Sequence, residues 1–159
     1  MSQSLFVEYR GRGFWAFDVV VSVFLKHLVD VAEPRIAGSS WLGEIVERWR
    51  VDTLLCGQFG VELDEQWSSA QMELVVELFE ATCEILGRRD EIRGEEIEGW
   101  QLLDGERGFA RGMPVVRTKS VINLGNAITA LLRGTLPEAP AGSWWWYGAE
   151  EQPGTLERR

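Results

Sequence analysis

Histidine is almost absent from these 159 residues, and His27 is the one imidazole. A histidine-based zinc site cannot be assembled from a single ring, and any triad would have to be built around His27. Cysteine is nearly as scarce. Cys56 and Cys83 read as reduced core residues, because a chain of this size in a reducing compartment needs no disulfide staple. Neither lies in a recognisable nucleophile signature, and a Cys–His dyad would need one of them to meet His27. Phosphate-binding glycine patterns are missing too: Lys119-Ser120 lacks the glycines that precede a P-loop lysine, and Gly11-x-Gly13 lacks the third glycine of a dinucleotide fingerprint. The residues therefore imply no catalytic group, metal or cofactor.

Long apolar runs are also lacking. The stretch from Phe14 is interrupted by Asp18 and Lys26, and no window approaches the eighteen or more apolar residues that span a bilayer. Met1-Ser2-Gln3-Ser4 carries no basic leader and no small-residue cleavage pattern follows, so a cytosolic protein without a membrane partner is expected. What is present is ordinary globular material, 45% hydrophobic and 26% charged, in a length that suits one domain. The net charge of −9 argues against nucleic acid as the default ligand and allows a basic protein partner.

Periodicity predicts helices. Phe14 to Ala32 places Phe14, Phe17, Val20, Val21, Phe24, Leu25, Leu28 and Val31 on one face, with Asp18, Ser22, Lys26 and Asp30 in a polar column; a buried strand over Val19 to Leu25 competes. A second helix opens at Ser39 or Ser40 and runs through Trp41, Leu42, Ile45, Val46 and Trp49. The third starts at a capping box, Ser68 with Gln71, with Trp67 stapling Met72, and turns Leu74, Val75, Leu78, Thr82, Ile85 and Leu86 inward. Arg88 to Arg117 reads as a long irregular connection, with a possible short strand at Met113 to Val116. A last helix spans Thr118 to Arg133 and stops at Gly134.

The fold expected is mainly α: a compact bundle of about four helices with a short N-terminal strand or extended arm at Leu5 to Tyr9. The alternative is α+β, with Leu5 to Tyr9 paired to Val115-Val116. Residues 1–143 form the domain, and 144–159 an aromatic C-terminal strap and a tail disordered from Gly148.

Three groups of residues stand out. Between Gly60 and Glu106 fourteen acidic and three basic residues give −11, so the acidity is regional. There Glu73, Glu77, Glu80 and Glu84 recur at helical spacing in one strip, either a solvated face or a docking strip for a basic partner. Arg107 to Arg133 then holds five basic residues and no acid, able to neutralise that region from within. The second group is Trp144-Trp145-Trp146-Tyr147. Alternate rings of an extended segment face opposite ways, so Trp145 and Tyr147 point outward as partner anchors while Trp144 and Trp146 pack on the body, or the reverse. The third is Asp18, set among large apolar residues near Arg10 and Arg12, and read as a structural ion pair with them.

The segments Glu8-Tyr9-Arg10-Gly11-Arg12-Gly13-Phe14-Trp15-Ala16-Phe17-Asp18 and Leu124-Gly125-Asn126-Ala127-Ile128 resemble parts of small bacterial proteins, some of which resemble the immunity partners of polymorphic toxins. Fourteen arginines against two lysines fit a GC-rich bacterial coding style. The resemblance carries no catalytic signature, and the absence of histidine, cysteine and glycine signatures favours a non-enzymatic intracellular binding protein, an immunity-type inhibitor of a basic toxin or effector. The alternative is a small enzyme using carboxylates and arginines in a cleft near residues 10–18.

Overall fold

The computed structural model describes residues 4–59, 61–103 and 105–159, with 55–59 described by their backbone alone. Among them are five α-helices and six strands in two sheets, so the fold is α+β and the mainly α bundle is overturned. Strand β1 (Ser4–Tyr9) and strand β2 (Arg12–Phe17) form an antiparallel hairpin that closes at the Tyr9–Arg12 pair. Arg10 and Gly11 make its two-residue turn with φ of 51° and 77°, the left-handed pair that matches hairpin twist. The helix expected from Phe14 consequently begins only at Asp18. Its first residues hid a period of two beneath the helical one: Phe14 and Ala16 are fully buried, whereas Gly13, Trp15 and Phe17 are half-exposed. Aromatic side chains suit such a pleated, half-buried surface.

Helix α1 (Asp18–Ala32) is the axis of the molecule, with Val19 through Leu25 buried. It packs against α2 (Ser40–Phe59), α3 (Ser69–Leu86) and α5 (Thr118–Arg133), and α3 in turn lies on α5. Ser22 on α1 donates its hydroxyl to the Thr53 carbonyl of α2 at 3.0 Å, and the Phe24 ring meets Phe79 of α3 edge-on at 5.4 Å. Gly125 lets α5 approach: a Cβ there would lie 2.6 Å from both Cys83 Sγ and the Phe24 ring. The capping box starts α3 as expected, Ser68 Oγ accepting from the Gln71 amide at 3.2 Å and Gln71 Oε1 from the Ser68 amide at 2.9 Å. Ile85, expected inside, is 39% exposed.

The connection read as irregular holds a second sheet. Strand β3 (Glu91–Arg93) leads into the short helix α4 (Gly94–Gly99), and β4 (Val115–Arg117) pairs antiparallel with β3 before entering α5. Val115 and Val116 thus pair with Arg93 and Ile92 instead of with the N-terminal strand.

The C-terminal segment is a further correction. Strand β5 (Ser143–Tyr147) runs parallel to β2 and is an inner strand of a four-stranded sheet ordered β1-β2-β5-β6. The tail expected to be disordered supplies the edge strand β6 (Gly154–Glu157), antiparallel to β5. Helices cover one face of this sheet, where Leu5, Val7, Tyr9, Phe14, Ala16 and Tyr147 join the core. No helix among the described residues is long and apolar enough to cross a membrane.

Asp18, fully buried at the first turn of α1, is gripped by Arg111 from the loop before β4, with Nε at 2.9 and 3.1 Å from the two carboxylate oxygens and Nη2 at 2.7 Å. Arg10 and Arg12, the expected partners, are used elsewhere. Arg10 Nη2 donates to the Glu65 carbonyl at 3.4 Å, and Arg12 Nη2 to the Leu136 carbonyl at 2.6 Å. The carboxylate favours the helix N-terminus, and the guanidinium offsets its desolvation. Arg111→Ala is expected to destabilise the protein by about 3 to 5 kcal/mol. Arg12→Ala should cost about 0 to 1 kcal/mol. Urea denaturation of the two variants separates these outcomes, and equal losses would remove Arg111 from its role.

Candidate functional site

The four glutamates of the strip are all exposed along α3, as helical spacing requires, opposite the buried Val75, Leu78, Phe79 and Leu86. Two are already engaged within the fold: Arg35 Nη1 lies 3.0 Å from Glu77 Oε1, and Arg133 Nη2 lies 3.1 Å from Glu80 Oε1. Glu73 and Glu84 have no ion-pair partner among the described residues. Between α3 and the end of α5 runs a groove of about 510 Å³, lined by Ala70, Leu74 and Val76 together with Glu73, Glu77, Glu80 and Arg133. Apolar carbon beside acidic heads can receive the stem and the head of a lysine or arginine.

The aromatic segment takes the second of the two orientations considered. Tyr147 is buried with its ring 4.8 Å from that of Phe14, and burial raises the pKa of its hydroxyl. Trp145 is half-buried, donating its indole N–H to the Pro137 carbonyl at 2.8 Å. Neither is the outward anchor expected of it. Trp144 and Trp146 occupy the opposite face, where Phe6 contacts Trp15 at 5.2 Å and Trp144 at 5.1 Å, and Arg158 lies 3.7 Å over Trp144. The strand pairing of Phe6 with Trp15 and of Trp15 with Trp146 assembles this cluster from both ends of the chain. No local sequence window contains it.

His27 donates its Nδ1–H to the Val23 carbonyl, 2.8 Å away, and its ring stands edge-on to Trp100. Burial lowers its pKa and favours the neutral ring. The Cys83 thiol is pushed up to about 11, chiefly by burial and further by Glu80, which removes it from nucleophilic duty near neutral pH. Cys56 lies outside the residues whose side chains are described. Among the described residues no three His, Cys, Asp or Glu side chains are grouped to hold a metal ion.

One buried acid escaped notice. Asp52 follows Trp49 by three positions and so continues the apolar face of α2, the signal that would have found it. Its Oδ2 accepts the Glu62 amide at 3.0 Å, while Trp49 donates its indole N–H to the Glu62 carbonyl at 3.3 Å. Burial is the main cause that raises the Asp52 carboxyl to about 6, and the neighbouring Glu62 charge adds to it.

Comparison with protein-family models, with curated proteins and with solved structures returned no match. Fold and surfaces together define an α+β protein with an acid-rimmed groove on one helix and an aromatic cluster on the outer face of its sheet.

The Asp52 pKa makes a signed prediction. Its native value exceeds the unfolded one, so the native state holds more protons between about pH 4 and pH 6, and stability falls as pH rises through that window. Above pH 6 the loss is complete. Asp52→Asn keeps an acceptor for the Glu62 amide and removes the charge, and is expected to stabilise the protein by about 1 to 3 kcal/mol at pH 7.5. At pH 4 the two proteins should denature alike. A wild-type advantage at pH 7.5 would show that the charged carboxylate is favoured where it sits.

Proposed function

We propose that this chain is a non-enzymatic bacterial binding protein of the immunity type, which acts in the cytoplasm and neutralises a basic toxin or effector by covering it. The observation that carries the reading is the groove along α3, rimmed by exposed glutamates that stand beside Leu74 and Val76. Such a rim steers a basic partner at long range and fixes its register on contact. The internal pairs to Arg35 and Arg133 hold Glu77 and Glu80 in place, which reduces the side-chain ordering that binding requires. Support also comes from what the potential catalytic groups do: the Cys83 thiol is held protonated, and Asp18 is clasped by Arg111.

The test uses Glu73 and Glu84, because reversing Glu77 or Glu80 would also break ion pairs of the fold. The protein encoded beside this gene should be basic and toxic when expressed alone, and co-expression of the wild-type chain should restore growth. Glu73→Lys/Glu84→Lys should keep the wild-type melting temperature, slow association at least tenfold and flatten its dependence on salt. A double variant that protects and binds like wild type would return the strip to a solvated surface. A metabolic enzyme as the neighbour, with no growth defect to relieve, would overturn the immunity reading itself.

A further inference from the structure

We infer that the cleft at the open end of the four-stranded sheet is a binding site for a carboxylate carried on an apolar body. Strands β2 and β5 pair only at Trp15–Trp146 and Ala16–Tyr147. Toward Arg12 and Ser143 this pairing ceases, and a cleft of about 400 Å³ lies between the β1–β2 turn and residues 136–142. That volume suits a small ligand, for which pockets run from about 300 to 1,000 Å³.

Two arginines line the cleft, and each is tied to the main chain by one hydrogen bond. Arg12 Nη2 donates to the Leu136 carbonyl at 2.6 Å, and Arg158 Nε donates to the Ser143 carbonyl at 3.0 Å with its plane 3.7 Å from the Trp144 ring centre. A guanidinium carries five N–H groups, so each retains donors for a ligand while its position is already fixed. Among the described residues neither arginine has an ion-pair partner. The far wall is anchored too, because the Trp145 indole N–H is bonded to the Pro137 carbonyl. Trp144 and Trp145 supply the apolar lining.

Glu138 also lines the cleft, and the whole chain carries −9. A guanidinium fork accepts carboxylate and phosphate alike, but a nearby carboxylate repels a doubly charged phosphate more than a singly charged acid. The favoured ligand is therefore a monoanion. Two sources offer one, a free organic acid and the carboxyl terminus of a peptide.

Calorimetric titration of the full chain with 2-naphthoate and with N-acetyl-leucyl-leucine, each beside its carboxamide, tests the assignment. One acid should bind at a single site and at least ten times more tightly than its amide, and the tighter of the two acids names the source. The Trp145 indole N–H resonance, identified by its loss in Trp145→Phe, should shift on binding. Arg158→Gln should weaken binding at least tenfold, and Arg12→Gln, at the exposed first position of β2, should do the same with an unchanged melting temperature. Equal binding of acid and amide, inorganic phosphate binding as tightly as the better acid, full affinity in Arg12→Gln, or no saturable binding of either acid at millimolar concentration would each overturn the proposal.

Discussion

The fully buried carboxylate of Asp18 sits where β2 gives way to α1, and Arg111 reaches it from the loop between α4 and β4. Sheet, central helix and the small second sheet are thereby held in one arrangement. Arg111 adopts φ of 49°, a region that a non-glycine residue enters only when its surroundings compensate the cost, and its guanidinium also lies 5.2 Å from the Phe109 ring. Backbone strain and side-chain position are coupled here. The loop can take this shape because the buried carboxylate rewards it, and the carboxylate is tolerated because the loop delivers a guanidinium.

Charge is organised by the same chain segment. The basic block from Arg107 to Arg133 directs Arg111 to Asp18, Arg117 to Glu91 and Arg133 to Glu80, while within the acidic region Arg89 grips Glu96 through two bonds of 2.9 and 2.7 Å. The regional excess of negative charge is thus partly neutralised inside the monomer. On α3, Glu73 and Glu84 keep no ion-pair partner among the described residues, and Glu73 stands in the groove beside apolar carbon.

Helices α2, α3 and α5 were legible because each repeats apolar residues at helical spacing, and α3 also carries its cap in the sequence. The sheet was hidden by two facts. Phe14 and Ala16 satisfy a strand and a helix pattern equally well, and only the two-residue turn at Arg10-Gly11 decides between them. The tryptophan segment alternates correctly but has no local sign of which side faces the helices. That side is set by Phe14, whose ring lies against Tyr147. Among the candidate site residues, the glutamate strip could be placed from spacing alone. The partner of Asp18 could not, since 93 positions separate it from Arg111 and many arginines lie nearer in sequence.

The parallel register of β2 and β5 joins Trp15 to Trp146 across nearly the whole chain. Antiparallel neighbours such as β1 and β2 can form as soon as their turn exists, but this contact must wait until the helices between have been made and stacked. During synthesis the hairpin emerges before the helices and β5, with one edge of β2 unpaired and Trp15 lacking its neighbour. The helical layer is therefore a template on which the sheet is finished. Residues made late in synthesis close an edge that residues made early leave open, and the strand that closes it carries the tryptophans.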